Sequence, residues 1–262
     1  MSEVLVERRG AVALLTLNRP DVLNALSVSM ASALTEALEA QARASEVRVI
    51  VITGEGRAFS SGGDIAFMKK VVDQGGRFED FEPLVGGGPG VVRAIMHSEK
   101  PVLAAVNGVA AGGGMSLALA CDARWAAEEA RFGQSFVKIG LHPDWGAVYT
   151  LPRLVGTARA LELMWTGDLI GAAEAERLGL VSRVLPADRL LPELLEFAAR
   201  LARGPAVALA EIKHSVRESP GYSLEEALTR ELSAQERCWG TADAREGFKA
   251  FLEKREPKFE GR

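Results

Sequence analysis

Cysteine is almost absent: Cys121 and Cys238 are the only two in 262 residues, and they lie far apart. So sparse a set builds no disulfide framework and suits a reducing compartment. Positive charge is not in surplus. Lys and Arg number 31 against 35 Asp and Glu, a formal net charge of −4, so the balance does not point to nucleic acid. No apolar run approaches the ~20 residues of a membrane span. The opening MSEVLVERRG carries acidic residues and lacks the long apolar core of a secretory signal. The expected location is therefore cytoplasmic, with neither membrane nor nucleic acid as partner. Histidine is scarce too. His97, His142 and His214 are too scattered for a metal site and read as surface or helix-end residues. Also missing are G-x-x-x-x-G-K-S/T, G-x-S-x-G, H-E-x-x-H and any G-x-G-x-x-G after a strand.

What is present is an ordinary globular composition, 48% hydrophobic and 25% charged. The length supports one large domain, or a domain with an appendage. VLVERRGAVALLTLNRP reads as a hairpin around Arg9-Gly10. In the next segment Met30, Leu34, Ala37, Leu38 and Gln41 recur at helical spacing, with Ser27 as N-cap. VRVIVITG is a continuous β-branched run of the kind buried parallel strands show, and PVLAAVNG repeats it before the apolar GMSLALACD. Strand, turn, helix in repetition is an α/β layout. From about residue 157 onward the pattern is almost wholly helical, in apolar stripes stopped by Gly or Pro. Between the strand units, six glycines and two prolines fall within residues 72–92. That segment reads either as a mobile surface loop or as a flexible wall or lid over a site.

Two glycine turns each follow a strand: GRAFSSGGDI (residues 56–65) and NGVAAGGGMSL (residues 107–117). Ligands of open α/β sheets bind at the carboxyl ends of strands, and a helix N-terminus presents free N–H groups there. Two such turns side by side aim two donors at one oxygen, the geometry of an oxyanion hole. The alternative is two plain Gly-rich connections, and spacing alone slightly favours that reading.

NRPDVLNAL, GRAFSSGGDI, VNGVAAGGGMSLALACD, RFGQSFVKIGLHPDWGAVYTLPRLVG and the ending REGFKAFLEKREPKFEG resemble, in order, the enoyl-CoA hydratase/isomerase, or crotonase, superfamily. The resemblance spans nearly the whole chain. It implies an α/β fold: a crotonase-type spiral of ββα units with an acyl-CoA site over about residues 1–200, and a C-terminal helical trimerisation region over 201–262. Trimers in the family usually pair into hexamers, so a homotrimer or homohexamer is implied. Carried over by position, Gly63 and Gly113 supply the two oxyanion N–H groups for the carbonyl of an acyl-CoA thioester. Val22, Leu23, Ser61 and Ile65 line the adenine pocket. Asp64 is structural. No metal is implied, and no cofactor beyond the coenzyme A that the substrate itself carries.

Hydratases of this family use two glutamates, and this sequence lacks both. The matching positions hold Ser116 and Phe136, which cannot share the proton traffic of adding water to a double bond. One carboxylate stands in the following loop, Asp144. This arrangement is most like that of the ring-1,2-epoxyphenylacetyl-CoA isomerases of bacterial phenylacetate degradation, although Ala147 and Val148 interrupt their usual Gly-Gly-Thr. With Asp144 as base, and with Phe136 and Trp145 as apolar surroundings raising its pKa, the implied activity is an acyl-CoA isomerase. It would shift a double bond or open an epoxide beside the thioester. Three alternatives stand beside this. Asp144 also reads, less strongly than as a base, as the N-cap of a helix after Pro143. A hydratase would use Asp144 alone or Glu79, Asp80 or Glu82. A weakly catalytic acyl-CoA-binding subunit is the third.

Overall fold

The expected hairpin forms: β1 (Val4–Arg9) and β2 (Val12–Leu17) pair antiparallel. The computed structural model describes residues 2–261. Helix α1 (Val28–Arg43) follows, with the Ser27 hydroxyl accepting from the Met30 N–H at 3.0 Å. Met30, Leu34 and Leu38 form its buried stripe.

The chain then repeats one unit: a long strand, a short strand, then helix. The first turn is β3 (Val49–Gly54), β4 (Ala58–Ser60), α2 (Ile65–Asp73), α3 (Phe78–Gly86) and α4 (Gly88–Met96). The second is β5 (Val102–Val106), β6 (Val109–Ala111) and α5 (Gly113–Ala120). The third is β7 (Ala123–Ala127), β8 (Arg131–Gly133), a 3-10 turn at Ser135–Ile139, α6 (Ala147–Val155) and α7 (Thr157–Thr166). Next come β9 (Ile170–Gly171), α8 (Ala172–Arg177), β10 (Arg183–Leu185) and α9 (Ala187–Ala202). Helices α10 (Ala206–Glu218), α11 (Leu224–Trp239) and α12 (Ala242–Glu253) end the chain.

The long strands assemble in the order β1-β2-β3-β5-β7-β10, the short ones in the order β4-β6-β8-β9. All pairs are parallel except β1·β2 and β8·β9. Alternate residues of the large sheet serve two cores, because successive side chains of a strand point to opposite faces. Leu15, Ile50, Ile52 and Ala104 pack with Leu34, Leu38 and Leu117. Val12, Leu14, Val51, Leu103 and Trp125 pack with Leu190, Leu194 and Ala198 of α9. Coverage on both faces explains why VRVIVITG has no polar alternation. Helix α9 is thus part of the spiral core, and residue 200 lies in its last turn. Among the described residues no helix is long and apolar enough to cross a membrane.

The glycine-rich segment 72–92 is not the loop expected from the sequence but mostly helix, with α3 and α4 separated by a single residue. As a wall it does stand at the site, since Leu84 approaches Gly63 and Gly88 meets the Trp145 ring. Its glycines serve close packing. A Cβ on Gly87 would lie 2.6 Å from Ala31 Cβ, and one on Gly88 2.4–2.7 Å from the Trp145 ring. Leu84, Val91 and Ile95 fill the core side, and Pro89 sits in the first turn of α4, where its missing N–H costs nothing.

Candidate active site

Strands β4 and β6 are parallel neighbours, so the glycine turns after them lie side by side. Gly62 has φ of +96°. A Cβ there would lie 2.7 Å from the Ala111 carbonyl oxygen and 3.3 Å from the Gly113 nitrogen, so the two turns touch. On one side, Leu26 N–H donates to Gly62 O at 2.7 Å and Asp64 N–H donates to Leu26 O at 3.1 Å. The Gly63 N–H between them faces the other way. Gly113 is the first residue of α5, in the turn whose N–H groups have no intrahelical acceptor and carry the positive end of the helix dipole. Among the described residues neither N–H donates to a protein acceptor. The triple glycine also lets α5 press onto β4, since a Cβ on Gly114 would lie 2.3 Å from Ser60 O.

Asp144 approaches this point from the loop before α6. Its Oδ1 lies 3.8 Å from where a Cβ of Gly113 would stand, and it is buried without a hydrogen-bond partner. Burial raises its pKa from 3.8 to about 6, while its own backbone N–H and His142 pull weakly the other way. Helix α6 starts at Ala147 behind Gly146, so Asp144 does not cap it. Trp145 is buried with φ of +52°, a costly conformation for a bulky residue. Its ring is wedged between Gly88 of α4 and Gly113 of α5. Ala147 and Val148, the departure noted in the sequence, simply become the first turn of α6.

Neither hydratase position offers an acid. Ser116 is buried, its hydroxyl donating to Gly112 O at 3.1 Å, and Phe136 is buried with its ring 3.7 Å from the Cβ position of Gly112. Sequence reasoning missed Gln134, buried beside Ser116, and Gly88. The first had a signal, since it lies in the same FGQSF stretch as Phe136; the second had none. Glu79, Asp80 and Glu82 are exposed on α3, with Asp80 accepting from the Arg77 N–H at 2.9 Å and Glu79 paired with Arg77. These acids lie on the solvent side of α3, whose Leu84 side chain comes within 3.8 Å of the Cβ position of Gly63. His97 and His142 are exposed and His214 is half-buried on α10. Among the described residues no group of three His, Cys, Asp or Glu is placed to hold a metal.

Of the four residues expected at the adenine end, Val22, Leu23 and Ser61 come together, and Ile65 opens α2 four residues beyond Ser61. Ser61 N–H donates to Leu23 O at 2.9 Å and Ser61 Oγ to Val22 O at 3.3 Å. Val22 and Ile65 are exposed apolar side chains. Asp64 caps α2, accepting from Ala66 and Phe67 N–H, and pairs with Arg19 at 2.8 Å. Burial pushes its pKa up, but Arg19 and the two N–H groups outweigh that and hold it below the ordinary value.

Residues 7–262 match the family model for enoyl-CoA hydratase/isomerase. The chain belongs to this family. It is 39% identical to a crotonyl-CoA hydratase of Syntrophomonas wolfei over 98% of this chain and 97% of that one. It is 38% identical to a 2,3-dehydroadipyl-CoA hydratase of Escherichia coli over the full length of both. A solved enoyl-CoA hydratase from a Polaromonas species superposes with a TM-score of 0.93 at 36% identity, covering 98% of this chain and 99% of that one. The crotonase-type spiral and the C-terminal helices expected from the sequence are therefore present. The names of these relatives are hydratase names, and none of them points to an epoxyphenylacetyl-CoA isomerase.

Proposed function

We propose that this member of the family moves a proton on an acyl-CoA thioester, with Asp144 as its base and the N–H groups of Gly63 and Gly113 as its oxyanion hole. The half-buried Asp144 carboxyl, whose Oδ1 is shielded from water and unpartnered beside Gly113, carries the reading. Charge on the thioester oxygen is stabilised by the two N–H groups, which makes the Cα proton removable. Asp144 takes that proton from a 3-enoyl chain, and the resulting dienolate is reprotonated by the same carboxyl at Cγ. The product is the conjugated 2-enoyl thioester. A pKa of about 6 keeps the carboxylate ionised at neutral pH yet basic enough to accept a proton. An epoxide beside the thioester, as in phenylacetate breakdown, is a substrate for the same enolate push. Val22, Leu23, Ser61 and Ile65 would hold the adenine end, and Phe136 and Trp145 the acyl end. No cofactor is needed beyond the substrate's coenzyme A. A reducing cytoplasm is proposed as its location, supported by the two unbridged cysteines.

Hydration is the second reading, favoured by the names of the relatives. The two separate in one assay. Isomerisation of a 3-enoyl-CoA raises the absorbance of the conjugated thioester, whereas hydration of crotonyl-CoA bleaches it. The expected result is gain with the first substrate and slow loss with the second. Ser116→Glu with Phe136→Glu is expected to speed the loss, if the pair folds. Efficient bleaching by the wild type would overturn the isomerase reading in favour of hydration. A binding-only subunit would change neither signal.

The helices α10–α12 are proposed as the self-association region of a homotrimer or homohexamer. Leu232, Trp239, Phe251 and Leu252 are each at least 70% exposed there, and α12 borders an apolar hollow of about 450 Å³ beside Phe248 and Phe259. A lone chain in water does not favour so large an apolar face. Leu232→Asp with Phe251→Asp is expected to shift the sedimentation coefficient towards that of a monomer; an unchanged value would move the interface elsewhere.

Trp145 offers a finer check on Asp144. A Gly88→Ala methyl collides with the Trp145 ring and displaces the loop that carries Asp144. Turnover is expected to fall by about tenfold with little change in KM, since small misplacements of catalytic groups are costly. Trp145→Leu in the same chain should recover part of the loss. Absence of any loss in Gly88→Ala would show that the Trp145 packing does not place the carboxylate.

A further inference from the structure

The peptide between Gly62 and Gly63 must keep its N–H towards the substrate, and its own chemistry does not make it do so. With glycine on both sides, and φ of +96° at Gly62, no Cβ opposes a half-turn that would put the Gly62 carbonyl where the Gly63 N–H should be. The partner that fixes it is Leu26, whose N–H donates to Gly62 O at 2.7 Å beside an isolated parallel bridge of Leu26 with Gly63. Turning the peptide over would break that bond and set two N–H groups against each other. Ala25 and Leu26 are buried, so the loss would fall where the free groups are costly.

The other end of the same Ala25–Leu26 peptide is also held. Arg19 Nη1 donates to Ala25 O at 2.7 Å and, with its second hydrogen, to Asp64 Oδ2 at 2.8 Å. One guanidinium nitrogen therefore ties the residue before Leu26 to the residue after Gly63. Arg19 is held in turn: its backbone N–H donates to the Asn24 side-chain oxygen at 2.9 Å, and its Nε pairs with Glu3 at 3.1 Å. From Arg19 the bonds run head to tail, guanidinium to Ala25 O and Leu26 N–H to Gly62 O, with the Gly63 N–H as the free end. Each link draws electron density towards the cation, so each N–H down the chain becomes a better donor, by roughly 10–30% per bond. Glu3 and Asp64 share the guanidinium and temper that pull.

We infer that Arg19 is a positioning residue for the oxyanion hole: through the Ala25–Leu26 peptide it holds the Gly63 N–H towards the thioester oxygen and strengthens it as a donor. The inference rests on the thioester docking at Gly63 and Gly113 but not on the reaction that follows. The two donors then differ in what polarises them. Gly113 draws on the dipole of α5, whereas Gly63 lies outside α2 and has a cation two peptides away.

The test reads the carbonyl stretch of bound butyryl-CoA, isotopically labelled at the thioester carbon, by infrared difference spectroscopy. Butyryl-CoA has no double bond to react, and strong donors lower the frequency of the carbonyl they hold. Arg19→Gln keeps a donor for Ala25 O but no charge, so the bound carbonyl should move back towards its frequency in water. Whichever reaction the protein runs, turnover should fall about tenfold with KM nearly unchanged, short of the roughly 10²–10³-fold loss of a whole donor. Glu3→Gln removes a competitor for the guanidinium and leaves an amide oxygen for the Ser27 and Ser29 hydroxyls, so it should lower the frequency further. That variant decides the matter if Arg19→Gln does not fold. A role in folding alone would lower Tm without moving the carbonyl. An unmoved carbonyl in either folded variant, or a loss confined to KM, overturns the inference. No shift from the free value in the wild type would instead overturn the docking at the glycine turns, and the inference with it.

Discussion

Asp144→Asn is expected to lower isomerase turnover by about 10²–10⁴-fold, the usual contribution of a general acid–base group. Binding of the acyl-CoA should persist, because the amide keeps the shape of the carboxyl and the glycine turns are untouched. The pH profile offers a second readout. The base must be ionised, so kcat/KM of the wild type is expected to fall as pH drops through about 6, the pKa to which burial raises Asp144. A shoulder near the ordinary carboxylate value would show a hydrated group. Stability changes in the opposite sense to activity. With a folded pKa raised from 3.8 to about 6, this group's stabilising contribution is complete in acid and is lost as pH rises through about 6. At neutral pH the buried charge is a cost, and Asn removes it. The Tm of the Asn variant should therefore be no lower than that of the wild type. Near-normal turnover in a folded Asp144→Asn protein would remove Asp144 from the mechanism.

Gly113→Pro is expected to reduce turnover by about 10²–10³-fold, the loss typical of one oxyanion donor. Proline removes the N–H proposed to bind the enolate oxygen. Yet Gly113 opens α5, a position where proline's fixed φ suits the helix and the missing N–H leaves no broken bond. The added side chain meets first the Leu26 Cδ1 at 3.2 Å, the end of a flexible group. The helix should therefore remain, as far-UV circular dichroism can check. Because the interaction strengthens as charge develops, kcat should suffer more than KM. A folded variant with unchanged kcat would show that Gly113 serves the turn alone.

Much of this architecture was legible in the chain. The hairpin around Gly10, the Ser27 cap of α1 and the fully buried β3 follow from local pattern, and each forms as read. The segment 72–92 did not. Glycine and proline there suggested chain flexibility, because a sequence shows that a side chain is missing but not what fills the space. Here the fillers are Ala31 and the Trp145 ring, both distant in sequence.

The candidate site divides in the same way. By itself the sequence determined the two glycine turns, the missing acids at Ser116 and Phe136, and the family to which these stretches point. Each is a matter of residue type at a position along one chain. Only the tertiary structure decided that the turns touch, and that Asp144 turns an unpartnered Oδ1 towards Gly113 rather than capping α6. Those facts depend on which groups are withdrawn from water together. Desolvation and the satisfaction of hydrogen bonds are set by neighbours brought in from β4, α4, α5 and the loop before α6. No local pattern records that meeting.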